Sequence, residues 1–138
     1  MYIALINVHG LVRSDDIEMG RDADTGGQTR YVVDLVKELS SREDVEVDLF
    51  TRLIKDSRTN EDYRKSIEQI GEHARIVRLT CGGTKYLRKE LLWPYLDEYV
   101  DNLISFFRTQ KRTPDIIHAH YADAGYVATE LAAYFQIP

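Results

Sequence analysis

The sequence predicts an α/β fold, a parallel sheet of about four strands with helices on both faces. Three observations predict it. Short apolar or alternating runs take turns with amphipathic stretches along the whole chain. The first run, Tyr2 to Val8, is almost unbroken in its apolar character, as a strand covered on both faces must be. A glycine pair, Gly26-Gly27, heads the first amphipathic stretch, where a strand-to-helix loop tightens into a first turn.

In chain order, a long polar loop from Leu11 to Thr25 follows the first strand, and loops of that length in compact domains are usually functional or mobile. Val32, Leu35, Val36 and Leu39 recur at i, i+3, i+4 and i+7, predicting a helix with those residues buried. Val45 to Thr51 alternates like a strand, with Arg52 just past its end. Tyr63, Ile67 and Ile70 suggest a short helix closed near Gly71, and Ala74 to Thr80 a third strand leading into the turn Cys81 to Thr84. From Lys89 the pattern is helical, with Leu96, Val100, Leu103 and Phe107 inward and Pro94 in a first turn, where its missing N–H costs nothing. Pro114 ends that region. Asp115 to His120 reads as the fourth strand, and Ala122 to Phe135 as a last helix burying Val127, Leu131, Tyr134 and Phe135. The chain reaches Pro138 where a further strand would begin, so the fourth strand is expected to leave an open sheet edge and to favour self-association.

Ligands in such sheets bind beyond the carboxyl ends of the strands. His9 and Gly10, Thr51 and Arg52, Cys81 to Gly83, and His120 to Gly125 all fall there, and Gly26 and Gly27 head the helix leaving the first crevice. Without Cβ atoms the glycines let a ligand oxygen approach bare N–H groups at a positive helix end, a candidate phosphate cradle. Their other reading is a tight turn capped by Asp24 or Thr25. Arg52 attracts phosphate or pairs with Asp56. His120 lines the pocket mouth. His118 and His120 face one side of a strand but lack a third metal ligand, so no metal is expected. His9 contacts a sugar hydroxyl or bonds loop backbone, Asp123 shapes its loop, and Cys81 lacks an activating base.

With 138 residues the chain has the length of one domain, and its 43% hydrophobic and 30% charged fractions exclude a disordered polymer. A net charge of −5 without a basic run offers nothing to nucleic acid. The single cysteine excludes an internal disulfide and favours a reducing compartment. No segment approaches the roughly 18 apolar residues of a membrane helix, and the first residues lack a basic leader, so a cytoplasmic location without a membrane partner is expected.

Four blocks carry a resemblance: His9-Gly10-Leu11-Val12-Arg13; Gly20-Arg21-Asp22-Ala23-Asp24-Thr25-Gly26-Gly27-Gln28-Thr29-Arg30-Tyr31-Val32-Val33; Lys85 to Tyr95; and His118 to Gly125. In this order they resemble the sucrose-phosphate synthase family, retaining glycosyltransferases with two Rossmann-like domains facing a cleft. The resemblance implies that residues 1–138 are part of the N-terminal, acceptor-binding Rossmann-like domain. The acceptor is then fructose 6-phosphate, the donor UDP-glucose and the product sucrose 6-phosphate, with no covalent cofactor. It further implies that Gly26, Gly27 and Gln28 form the loop touching the acceptor phosphate and the donor diphosphate. Lys89 is similar to the family's lysine for the fructose phosphate, and Tyr121 to an acceptor-contacting tyrosine. Lys89 is otherwise a solvated lysine at a helix start. The nucleotide-sugar domain has no counterpart here, so the chain alone is not expected to turn over, and the catalytic residues are not assigned. The alternatives are a sucrose synthase-type enzyme acting on free fructose, or a non-catalytic sugar-phosphate module completed by a partner chain. A dinucleotide oxidoreductase is disfavoured, because the first strand-helix junction is long and lacks G-x-G-x-x-G.

Overall fold

The computed structural model describes residues 1–138. Five strands form one sheet: β1 (Tyr2–Ile6), β2 (Glu46–Arg52), β3 (Ile67–Gln69), β4 (Ala74–Leu79) and β5 (Ile116–Ala119), in the order β3-β4-β2-β1-β5. All neighbours run parallel except β3 and β4. Three helices cover the sheet: α1 (Gly27–Ser40), α2 (Leu96–Gln110) and α3 (Tyr121–Phe135).

Side chains alternate across β1, and both faces are apolar. Ile3 and Leu5 join Val32, Val33 and Val36 of α1 on one side, while Ala4 and Ile6 join Leu96, Leu103, Val127 and Leu131 of α2 and α3 on the other. That double cover is why the first run contains no polar residue before Asn7. The inward stripe of α1 is Thr29, Val32, Val33, Val36 and Ser40, with Leu35 and Leu39 at its margin rather than its centre. Tyr134 is half-exposed rather than inward, lying under the Arg108 guanidinium.

The short helix expected over Tyr63 to Ile70 is not formed. Glu61–Arg64 makes one 3-10 turn, and Ile67–Gln69 becomes the extra antiparallel strand, closing a hairpin on β4 with Arg78 N–H donating to Ser66 and Ile70 N–H to Ala74. The free backbone edge of β4 decides the outcome, because a three-residue strand is too short to show its own period. Gly71 does not cap a helix. A Cβ there would lie 2.1 Å from the Ser40 hydroxyl, so glycine lets the hairpin turn reach α1.

The chain leaves β1 outward through β2 and β4, then returns over the sheet to place β5 on the other side of β1. The direction reverses between β1 and β5, the kind of switch point above whose strand ends α/β sheets form their ligand crevice. β5 is an edge strand, and Ile117 N–H donates to the Pro138 carbonyl at 2.8 Å.

Candidate functional site at the crevice between the first and last strands

Gly26 and Gly27 head α1 beside this crevice. Neither has a positive φ, and a Cβ on either would meet nothing within 4 Å. No side chain caps the helix, and its first turn holds no acidic residue. Asp24 and Thr25, the expected caps, are used elsewhere. Thr25 accepts from Leu11 N–H at 3.0 Å and donates to Asp22 at 3.0 Å, which folds the long loop back on itself.

Asp24 takes Lys89. Its Oδ1 accepts from Lys89 Nζ at 2.8 Å and its Oδ2 from Lys89 N–H at 2.7 Å, so a carboxylate from the glycine loop orients both the backbone and the ammonium of a residue far along the chain. Gly10 permits this approach: at φ +83, its missing Cβ would stand 2.7 Å from the Asp24 carbonyl. Burial alone would raise the Asp24 pKa, but the two Lys89 hydrogen bonds and its charge outweigh that and hold it below the ordinary carboxylate value. Lys89 is correspondingly raised, by Asp24 first and Glu90 second. The predicted phosphate lysine is therefore held by Asp24, two residues before Gly26, with its charge shared by two carboxylates.

Gln28 donates from Nε2 to Asn7 Oδ1 at 2.9 Å, and Asn7 Nδ2 donates to the His9 carbonyl at 2.9 Å. Tyr121 opens α3 with φ +77, a rare conformation for a non-glycine residue, and its half-exposed ring meets the His9 ring edge-on at 4.9 Å. Such local strain tends to mark functional positions. Gln28 is thus tied to the end of β1, Tyr121 to His9, and Lys89 to the loop that precedes the two glycines.

Arg52 and His120 do not join them as expected. Arg52 is buried and spends Nε on the Cys81 carbonyl at 2.7 Å and Nη2 on those of Gly83 and Lys85, clamping the loop after β4. Asp56 pairs with Arg58 instead, at 2.7 Å. A guanidinium at a strand end sees three inward carbonyls before it sees solvent, a competition that sequence alone does not display. His120 does not line a mouth: its ring stacks on His118 at 4.5 Å and meets Tyr31 at 5.8 Å, and its Nε2 is sealed without a partner. Burial first, then His118, lowers its pKa. No third His, Cys, Asp or Glu completes a metal set with this pair. Burial pushes the Cys81 thiol up to about 12, so it stays protonated.

The sequence reading gave too little to Asn7, Asp24 and Asp123, all buried, and nothing to Arg78. A polar residue ending an otherwise apolar strand was the available signal for Asn7. A cavity of about 480 Å³ lies at the other end of the sheet among Tyr2, Asp48, Arg75 and Arg112. Its buried carboxylate is already met: Asp48 accepts from Tyr2 Oη and from Arg75.

No helix is long and apolar enough to cross a membrane. The family model described as the sucrose synthase first GT-B domain matches residues 1–138. A probable sucrose-phosphate synthase 1 from Oryza sativa subsp. indica is 42% identical over the whole chain, and the sucrose-phosphate synthase of Zea mays 41%. The chain spans 15% of the length of each of these relatives. Among solved structures, sucrose-phosphate synthase from Thermosynechococcus elongatus superposes with a TM-score of 0.78 at 28% identity, covering 99% of this chain and 31% of that one. A switch-point crevice headed by an uncapped glycine loop, found in a chain with these relatives, leads to one assignment: the chain belongs to the family of first GT-B domains of sucrose synthases, and its relatives are sucrose-phosphate synthases.

Proposed function

We propose that this chain is the acceptor-binding part of a UDP-glucose-dependent hexosyltransferase that makes sucrose 6-phosphate from fructose 6-phosphate. The α1 amides and Lys89 receive the acceptor phosphate, and the nucleotide sugar is held by polypeptide outside these residues. One observation carries the reading. Gly26 and Gly27 are glycines where neither packing nor φ calls for one, at a helix end that no side chain of the protein caps. Space and N–H donors left together suit a phosphate. Lys89 adds a point charge whose orientation Asp24 has already set. Catalysis then rests on positioning the fructose 2-hydroxyl against the anomeric carbon and on stabilising the departing UDP, with fixed amides as donors.

The sharing of Lys89 between Asp24 and Glu90 favours a second reading, free fructose as acceptor, because a neutralised cation attracts phosphate less. Calorimetric titration of the 138-residue chain separates the two. Fructose 6-phosphate is expected to bind weakly, to be displaced by inorganic phosphate, and to lose about tenfold in affinity in Lys89→Ala and in Gly26→Ala. Gly26→Ala should melt at the wild-type temperature, since its methyl group enters open space. Equal binding of fructose and fructose 6-phosphate would establish the free-fructose reading, and binding of NAD alone would overturn the acceptor-site reading.

A further inference from the structure

His9 and Asp123 meet across the switch point, 114 residues apart in sequence, with Nδ1 to Oδ2 at 2.7 Å. Both are buried, at 5% and 1% exposure. The other carboxylate oxygen is taken: Asp123 Oδ1 accepts from Ala124 N–H at 2.8 Å. His9 is held from behind as well, its carbonyl accepting from Asn7. Its Nε2 has no hydrogen-bond partner and is not among the polar atoms sealed from solvent. The same ring carries Tyr121 on its edge.

An ionised carboxylate only accepts, so Nδ1 must carry the proton, and in the neutral ring Nε2 is left as an open acceptor. We propose that Asp123 is a positioning residue that fixes His9 in this tautomer, so that Nε2 accepts a hydrogen bond from a hydroxyl of the acceptor sugar while the glycine loop and Lys89 hold its phosphate. The proposal rests on the acceptor-site reading above and deepens it. It assigns recognition of the sugar, as distinct from the phosphate, to a pair built from the loop that leaves β1 and the first turn of α3, which follows β5.

The geometry supplies its own test. In Asp123→Asn the amide oxygen stays on Ala124 N–H, which needs an acceptor, and the amide NH₂ then faces Nδ1. That forces the proton to Nε2 and turns the open acceptor into a donor. Nitrogen-15 NMR of the ring in the 138-residue chain reads the tautomer directly. The wild type is expected with Nδ1 protonated and Asp123→Asn with Nε2 protonated. Fructose 6-phosphate should bind Asp123→Asn and His9→Gln about tenfold more weakly, while inorganic phosphate binds wild type and both variants alike. Asp123→Glu, which keeps an acceptor toward His9, should restore part of the affinity with Nδ1 protonated.

Fructose 6-phosphate binding left intact in Asp123→Asn, or a wild-type ring already protonated at Nε2 alone, overturns the pair and leaves the phosphate site standing. Parallel loss of phosphate affinity in both variants also overturns it, since the pair would then serve only the fold. Failure of the wild-type chain to bind either fructose 6-phosphate or phosphate overturns the acceptor site, and this proposal with it.

Discussion

Asp24 shows how one side chain can tie a loop to a residue far along the chain. Its carboxylate is 1% exposed, yet Lys89 supplies two hydrogen bonds and a charge, so its pKa in the folded chain is below its unfolded value. The stability it contributes is fully present above the ordinary carboxylate pKa, near 4, and is lost as pH falls through the lower folded value. Between about pH 4 and pH 2, wild-type stability should therefore fall more steeply than that of Asp24→Asn, measured by urea denaturation at each pH. Equal slopes would show that Asp24 does not depend on Lys89 for its charge. Lys89 was singled out by a resemblance alone, and nothing in the surrounding letters announces that Asp24 holds it from 65 positions away. Arg52 is the converse case, a cation of the right type and position whose donors turn inward to three carbonyls.

At the level of elements, the segment from Leu11 to Thr25 has almost no regular structure and is nevertheless tied down by long side chains from elsewhere. Arg78 of β4, 1% exposed, donates to the Val12 carbonyl at 2.8 Å and to Glu68 at 2.9 Å. Tyr63 donates to Glu18 at 2.6 Å, and Tyr86 to Asp22 at 2.7 Å. The ion pair of Arg78 is nearly dry, so Arg78→Met should cost about 3–5 kcal/mol of unfolding free energy and leave Glu68 with Ser14 in place of a cation. Hydrogen exchange should speed up first in residues 12–25, and a uniform loss of protection over the whole chain would contradict the idea that Arg78 acts through this loop. The four parallel strands and three main helices were legible because each shows its period for a turn or more or runs apolar over its length. β3 was not, since three residues paired to a free edge carry no periodicity. Tyr63, Ile67 and Ile70 happened to fall at helical spacing while belonging to a turn, a strand and a hairpin arm.

For the molecule as a whole, the sheet has two edges, β3 and β5, and they are protected unequally. β3 is short, with the charged Glu68 at its centre, whereas β5 carries Ile116 at 37% exposure and finds only the Pro138 carbonyl beside Ile117. An apolar strand with unmet backbone groups pairs with another copy when none of its own chain covers it. Sedimentation of the 138-residue chain should show concentration-dependent association, reduced by Ile116→Lys on the exposed edge. A monomer unaffected by concentration would mean that Pro138 and the charged flanks already blunt that edge.

The reversal of chain direction at β1 also governs when the sheet can close. β1 precedes the other strands of this sheet but occupies its middle, and its partner β5 follows more than a hundred residues later. Until then the ribosome presents a central strand with one bare flank, a natural substrate for chaperones, and the His9 imidazole has no Asp123 to meet. The pairing of His9 with Asp123 therefore reports that the first and last strands of this sheet have found each other.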